Sequence, residues 1–207
     1  MTNQEEYQNY DDLQFSEDQK EFVAFAIDSY KDQVSGYPEG ESTLGLLNLV
    51  DEINTEVFSN QKDQPKCKKG CAHCCYIQVG TTSREVDLII DYMKKEGIHM
   101  DDEKMLRLEE QSVIKNDRDY MLSLHRKCVF LKDNNDCGIY PVRPFACRNY
   151  YVFSDPEDCN TFTNNHGKKT LVHFDLNTIS VCLTLMDISK SDTLPRLLLE
   201  KLKSNAS

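Results

Sequence analysis

The sequence has little that would suit it to a membrane, to export or to nucleic acid. None of its 207 residues falls in a run approaching the ~18 apolar residues of a spanning helix. The opening stretch, MTNQEEYQNYDDLQ, is acidic and holds no apolar segment. The expectation is therefore neither an export signal nor a transit peptide, and a cytoplasmic location. Positive charge is scarce where it would matter for phosphate contacts. Residues 1–65 carry fifteen Asp and Glu against three Lys (Lys20, Lys31, Lys62), a net of −12 within an overall −11. Such a surface disfavours nucleic acid and anionic membranes. It offers instead a candidate docking region for a basic protein partner. No glycine-rich phosphate loop of the GxGxxG or GxxxxGK type occurs, and no Ser–His–Asp order is recognisable. There is also no solenoid repeat and no low-complexity tract.

What the chain does have is sulfur. Nine cysteines in a chain with 39% hydrophobic and 29% charged residues are more than packing requires. An odd number without an export signal argues against a disulfide framework and for a reduced protein that uses its thiols for metal or catalysis.

Apolar periodicity places helices at 14–36, carrying Phe15, Phe22, Phe25 and Tyr30, and at 42–58, carrying Leu44, Leu47, Val50 and Ile53. The polar run SNQKDQPK then leads into the cysteine segment, and YIQVG after Cys75 is β-prone. Thr82 and Glu85 form a capping-box pattern for a helix that Gly97 ends. A further helix is expected over about 101–123. Residues 128–159 read as loop, broken by Gly138, Pro141, Pro144 and Pro156. A strand at 170–176 and helices at 177–190 and 194–204 close the pattern, the last with Pro195 in its first turn. The fold class is thus mainly α: a small helical domain with an irregular cysteine-rich metal-binding core and few short strands. Its divisions are an acidic helical extension (1–65), a cysteine-cluster metal-binding domain (66–160) and a C-terminal tail packing on that core (161–207).

The cysteines fall into two groups with one outlier. Cys67, Cys71, Cys74 and Cys75 lie within CKKGCAHCC; Cys128, Cys137, Cys147 and Cys159 are more widely spaced; Cys182 sits alone in the apolar run ISVCLTL. The two-residue gap between Cys71 and Cys74 lets both thiolates reach one ion from a tight turn. Soft thiolates select zinc, copper(I) or iron–sulfur over magnesium or calcium. Cys74 and Cys75 are adjacent, so they serve either different ions or different roles. Eight cysteines suit two four-thiolate sites, or one iron site with extra ligands. His73 and His125 are secondary ligand candidates, and Cys182 reads as a buried free thiol. Lys66, Lys68, Lys69, Arg143 and Arg148 flank the sulfurs, and cations there offset the negative charge of gathered thiolates.

The pattern CKKGCAHCC, then CVFLKDNNDCGIYPVRPFACRNY, then Cys159 resembles the YkgJ-type cysteine-cluster family, a zinc- or iron-chelating domain. The residues that carry the likeness are Cys67, Cys71, Cys74, Cys75, Cys128, Leu131, Cys137, Ile139, Tyr140, Arg143, Pro144, Cys147, Arg148, Tyr150 and Cys159. The resemblance implies that the eight cysteines bind zinc or iron, the latter as an ion or in an iron–sulfur cluster. Arg143 and Arg148 then become candidate outer ligands to thiolates or a bound anion. A second reading is an iron–sulfur-dependent redox or modifying enzyme, because flagellin lysine methylases contain a domain similar to this cluster. The spacing Cys67-x3-Cys71-x2-Cys74 is also that of radical S-adenosylmethionine enzymes. However, His73 stands where those usually carry an aromatic, and the strand–helix alternation of their barrel is absent after residue 75.

Overall fold

The strongest local signal in the chain is the capping box, and a helix starts there. The computed structural model describes residues 39–59, 64–68, 70–113, 126–153, 155–160, 162 and 191–204, all within the unit Tyr37–Ser207. Among them five α-helices, three single 3₁₀ turns and one two-stranded sheet are formed, which makes the fold mainly α. Helix α1 is Glu39–Ser59, matching the helix expected at 42–58. Strand β1 is Gly80–Thr82 and runs straight into α2, Ser83–Glu96. The Thr82 hydroxyl accepts from the Glu85 N–H while Glu85 accepts from the Thr82 N–H, the reciprocal pair that satisfies two orphan helix donors. At the other end Gly97 adopts φ +65° and ψ 32°. That left-handed conformation suits glycine and lets the next N–H groups close back on the Met93 carbonyl.

Helix α3, Asp102–Ser112, is capped by Asp101, whose carboxylate accepts from the Lys104 N–H at 2.9 Å. It is shorter than expected: Val113 ends it, and the remainder of the expected span lies outside the described residues. Helix α4 is the single turn Phe145–Arg148, β2 is Ser191–Thr193, and α5 is Leu194–Ser204 with Pro195 in its first turn. The expected helices at 14–36 and 177–190, the strand at 170–176, His125 and Cys182 also lie outside the described residues.

Strand β2 pairs antiparallel with β1 in the register Gly80↔Thr193, Thr81↔Asp192, Thr82↔Ser191. The β-prone run was expected at 76–80. Its start is instead used in a 3₁₀ turn, His73–Tyr76, so the ladder begins only at Gly80.

The core forms where the amphipathic faces meet. Leu46, Leu47 and Val50 from α1, Val86, Ile89, Ile90 and Met93 from α2, Leu108 from α3, and Leu194, Leu197 and Leu198 from α5 are buried. Helix α2 contacts both α1 and α5, and α5 contacts α3. Fully burying one aliphatic side chain contributes ~1.5–3 kcal/mol. The three leucines of α5 together approach the net stability of an ordinary domain, ~5–15 kcal/mol. Helix α5 is therefore part of the core. Lys201 on α5 further bonds the Ser83 carbonyl at 2.9 Å and pairs with Asp87 at 2.5 Å.

Candidate metal centre

Each cysteine of the first group is placed by backbone turns. Lys66 donates to the Val152 carbonyl at 2.8 Å, and the Val152 N–H returns to Cys67 Sγ at 3.4 Å. This exchange ties the start of the knuckle to a residue 85 positions later. Gly70 at φ +85° permits the turn in which Cys71 N–H bonds the Lys68 carbonyl. The 3₁₀ turn His73–Tyr76 then carries Cys74 and Cys75.

The second group is brought onto this knuckle. Cys128 N–H donates to the Cys75 carbonyl at 2.8 Å. An antiparallel bridge between Leu131 and Cys137, with Gly138 N–H on the Phe130 carbonyl, folds Cys137 back beside Cys128. Gly138 suits that close approach, since a Cβ there would meet the Phe130 oxygen at 3.1 Å. Cys159 ends the 3₁₀ turn Pro156–Cys159, which packs on the His73–Tyr76 turn. His73 Nε2 lies 3.4 Å from Glu157 Oε2 across that contact.

Cys147 sits in α4, on a segment held at several points by charge. Phe145 N–H donates to Glu85 Oε1 at 2.7 Å. Arg148 is buried, and its guanidinium donates to the carbonyls of Arg143 (2.9 Å), Leu47 (3.2 Å) and Pro141 and to the Asp51 carboxylate. Arg143 reaches the other Asp51 oxygen at 3.4 Å and lies 4.1 Å from the Tyr140 ring centroid. Asp51 from α1 and Glu85 from α2 thus clamp the Cys147 segment from two helices. Reading the sequence for chemistry missed Asp51 and saw Glu85 only as a helix cap. The available signal was charge complementarity: two arginines within six residues need a carboxylate if either is buried.

The electrostatics follow from gathering thiols in a partly dry region. Burial raises Cys128 to about 11, with Cys137 and Cys74 adding to it and the Phe130 and Leu131 N–H groups opposing it. Burial is also the leading cause of the upward shifts at Cys67, Cys71, Cys137 and Cys147. Cys74 differs. A hydrogen bond from Cys75 lowers it to about 7 despite burial, and the Arg143 charge helps, while the same bond raises Cys75. The charge of Cys74 is felt by Cys67, Cys71, Cys75, Cys128, Cys137 and Cys147. Cys74 thus lies within electrostatic reach of both sequence groups, which the bond from Cys128 N–H to the Cys75 carbonyl brings together.

Three sulfurs share a local geometry. The N–H two residues on bonds the thiol of Cys71 (from His73), Cys128 (from Phe130) and Cys137 (from Ile139). Such donors favour the anionic sulfur, the form that ligates a metal, so the donor set fits a soft cation. Among the described residues, no group of three or more Cys, His, Asp or Glu already stands in a metal-binding arrangement. Seven of the eight cysteines are partly exposed and Cys159 is buried. No helix among the described residues is long and apolar enough to cross a membrane.

Compared with known proteins, residues 66–170 match the family model CxxCxxCC, described as "Putative zinc- or iron-chelating domain". No curated protein and no solved structure matches the chain.

Proposed function

We propose, from the premise that the chain belongs to the CxxCxxCC family of zinc- or iron-chelating domains, that it holds its metal through a thiolate cluster. The ligands on this reading are Cys67, Cys71, Cys74, Cys75, Cys128, Cys137, Cys147 and Cys159. The observation that carries it is the meeting of two groups more than fifty residues apart around Cys74, with Cys128 bonded directly to the Cys75 carbonyl. Thiols collected at that cost of burial need a use, and a soft cation supplies one. Backbone N–H groups at Cys71, Cys128 and Cys137 favour the thiolate each must become. Zinc held entirely by such thiolates would serve structure, storage or delivery, because a closed site leaves no coordination position for a substrate. No reaction is assigned to the protein.

The test is elemental analysis with an absorption spectrum on untagged protein purified without oxygen, repeated for Cys71→Ser and Cys147→Ser. The expected result is stoichiometric zinc or iron in the parent, with loss of metal and a lower melting temperature in both variants. Colourless zinc protein supports a closed chelating module. Iron with acid-labile sulfide and visible absorption moves the reading to an iron–sulfur protein. Unchanged metal content and melting temperature in both variants overturn the ligand assignment.

A further inference from the structure

The two arginines beside Cys147 resemble each other in sequence, yet the structure uses them differently. Arg148 is committed to the fold: its guanidinium bonds three backbone carbonyls and Asp51, and its side chain is 1% exposed. Arg143 is held only at its edges. One terminal nitrogen reaches Asp51 at 3.4 Å and the plane stacks on Tyr140, while Nε is buried with no hydrogen-bond partner. An orphan charged donor inside a protein is costly unless something receives it. Sulfurs are among the groups around it: the Arg143 charge reaches Cys74, Cys137 and Cys147.

We propose that Arg143 is the fixed counter-charge of the metal–thiolate cluster, with Nε–H available to a ligating sulfur, and that Asp51 on α1 is the positioning residue that orients it. This rests on the metal-binding reading above and adds a residue, Asp51, that lies outside the family-matched segment. Asp51 takes Arg148 on one oxygen and Arg143 on the other, so one carboxylate fixes the strut and aims the counter-charge. The physical logic is that several thiolates around one divalent ion leave net negative charge, which a nearby buried cation offsets. Outer partners of this kind are typically worth about 10–100-fold in metal affinity.

The experiment loads the full chain with Co²⁺ in competition with a chelator and follows the sulfur-to-cobalt charge-transfer bands. The proteins are the parent, Arg143→Gln, Arg143→Lys and Asp51→Asn. Arg143→Gln is expected to bind Co²⁺ at least ~10-fold more weakly and to shift the charge-transfer bands, because uncompensated sulfurs are better electron donors. Arg143→Lys, which restores charge without the Nε donor, recovers part of the affinity. Asp51→Asn moves in the same direction as Arg143→Gln. A purely structural Arg143 would leave the bands in place and lower affinity only as far as the metal-free melting temperature falls. Parent-like bands and affinity in Arg143→Gln overturn the inference alone. Failure of the parent to show thiolate–cobalt bands overturns the metal-binding reading and this inference with it.

Discussion

Replacing Glu85 by alanine separates two jobs that one side chain performs. Oε2 accepts from the Thr82 N–H (2.7 Å) and from the hydroxyls of Thr82 and Thr81 (3.0 Å each), which caps α2. Oε1 accepts from the Phe145 N–H at 2.7 Å, which pins the segment carrying Cys147. Losing one arm of a cap costs ~1 kcal/mol. Leaving the Phe145 N–H and the Thr81 hydroxyl without an acceptor adds ~1–3 kcal/mol. Glu85→Ala is therefore expected to destabilise the chain by ~2–4 kcal/mol. Thr82→Ala, which disturbs the cap and leaves the Phe145 bond in place, should cost ~1 kcal/mol. For a chain of this length each kcal/mol lowers Tm by ~2–4 °C. The two variants should thus differ by several degrees in thermal unfolding followed by circular dichroism. A chelator belongs in the buffer, since bound metal would stabilise both variants by mass action. Glu85→Gln should fall between them, because its amide NH₂ must face either the Thr82 N–H or the Phe145 N–H, donor against donor. Equal melting temperatures for Glu85→Ala and Thr82→Ala would refute the clamp and reduce Glu85 to a helix cap.

Arg148→Met should cost ~3–5 kcal/mol in denaturant unfolding, because it leaves three carbonyls without their donor and Asp51 with Arg143 alone. Arg148→Lys should not rescue it, since a single ammonium cannot replace the planar fork; full recovery by lysine would show that charge alone matters there. Gly97→Ala should lower stability by ~1–2 kcal/mol, as φ is +65° and the cost is backbone strain with open space around the new methyl. Gly45→Ala, within α1 and also facing open space, should do the opposite by ~0.5–1 kcal/mol. The same sign for both glycine variants would refute the conformational account.

How much of this was legible before the fold was known depends on the range of each interaction. The capping box at Thr82, the stop at Gly97 and Pro195 in the first turn of α5 are local, and each appears where the pattern put it. So is the loop character of 128–159, since Pro141, Pro144 and Pro156 act on their own backbone. The sheet was not legible: β1 and β2 are three residues each, too short to show period-two alternation, and they pair across more than a hundred positions. The shift of β1 from 76–80 to 80–82 follows from Tyr76 closing the 3₁₀ turn that carries Cys74 and Cys75, and that turn also gives the Cys75 carbonyl to Cys128, a contact no local pattern records. Asp51 is the clearest loss. It lies in an acidic stretch where any one carboxylate looks like a solvated face, and only its bonds to two arginines more than ninety positions away set it apart from Glu52 beside it.

The clamps also bear on why the cysteine segment keeps a shape at all. Among the described residues between 126 and 160 no helical element exceeds four residues, so its own hydrogen bonds cannot fix the four sulfurs it carries. Small metal domains often solve this by folding only around the metal, and chelators then unfold them. Here the groups that fix the Cys147 segment are not sulfurs. Glu85 holds Phe145, Asp51 and the Leu47 carbonyl hold Arg148, and all three lie on helices whose apolar faces are buried independently of the cluster. The segment bearing Cys147 is therefore oriented by the helical core through charge and hydrogen bonds. Its sulfur is left free of that task.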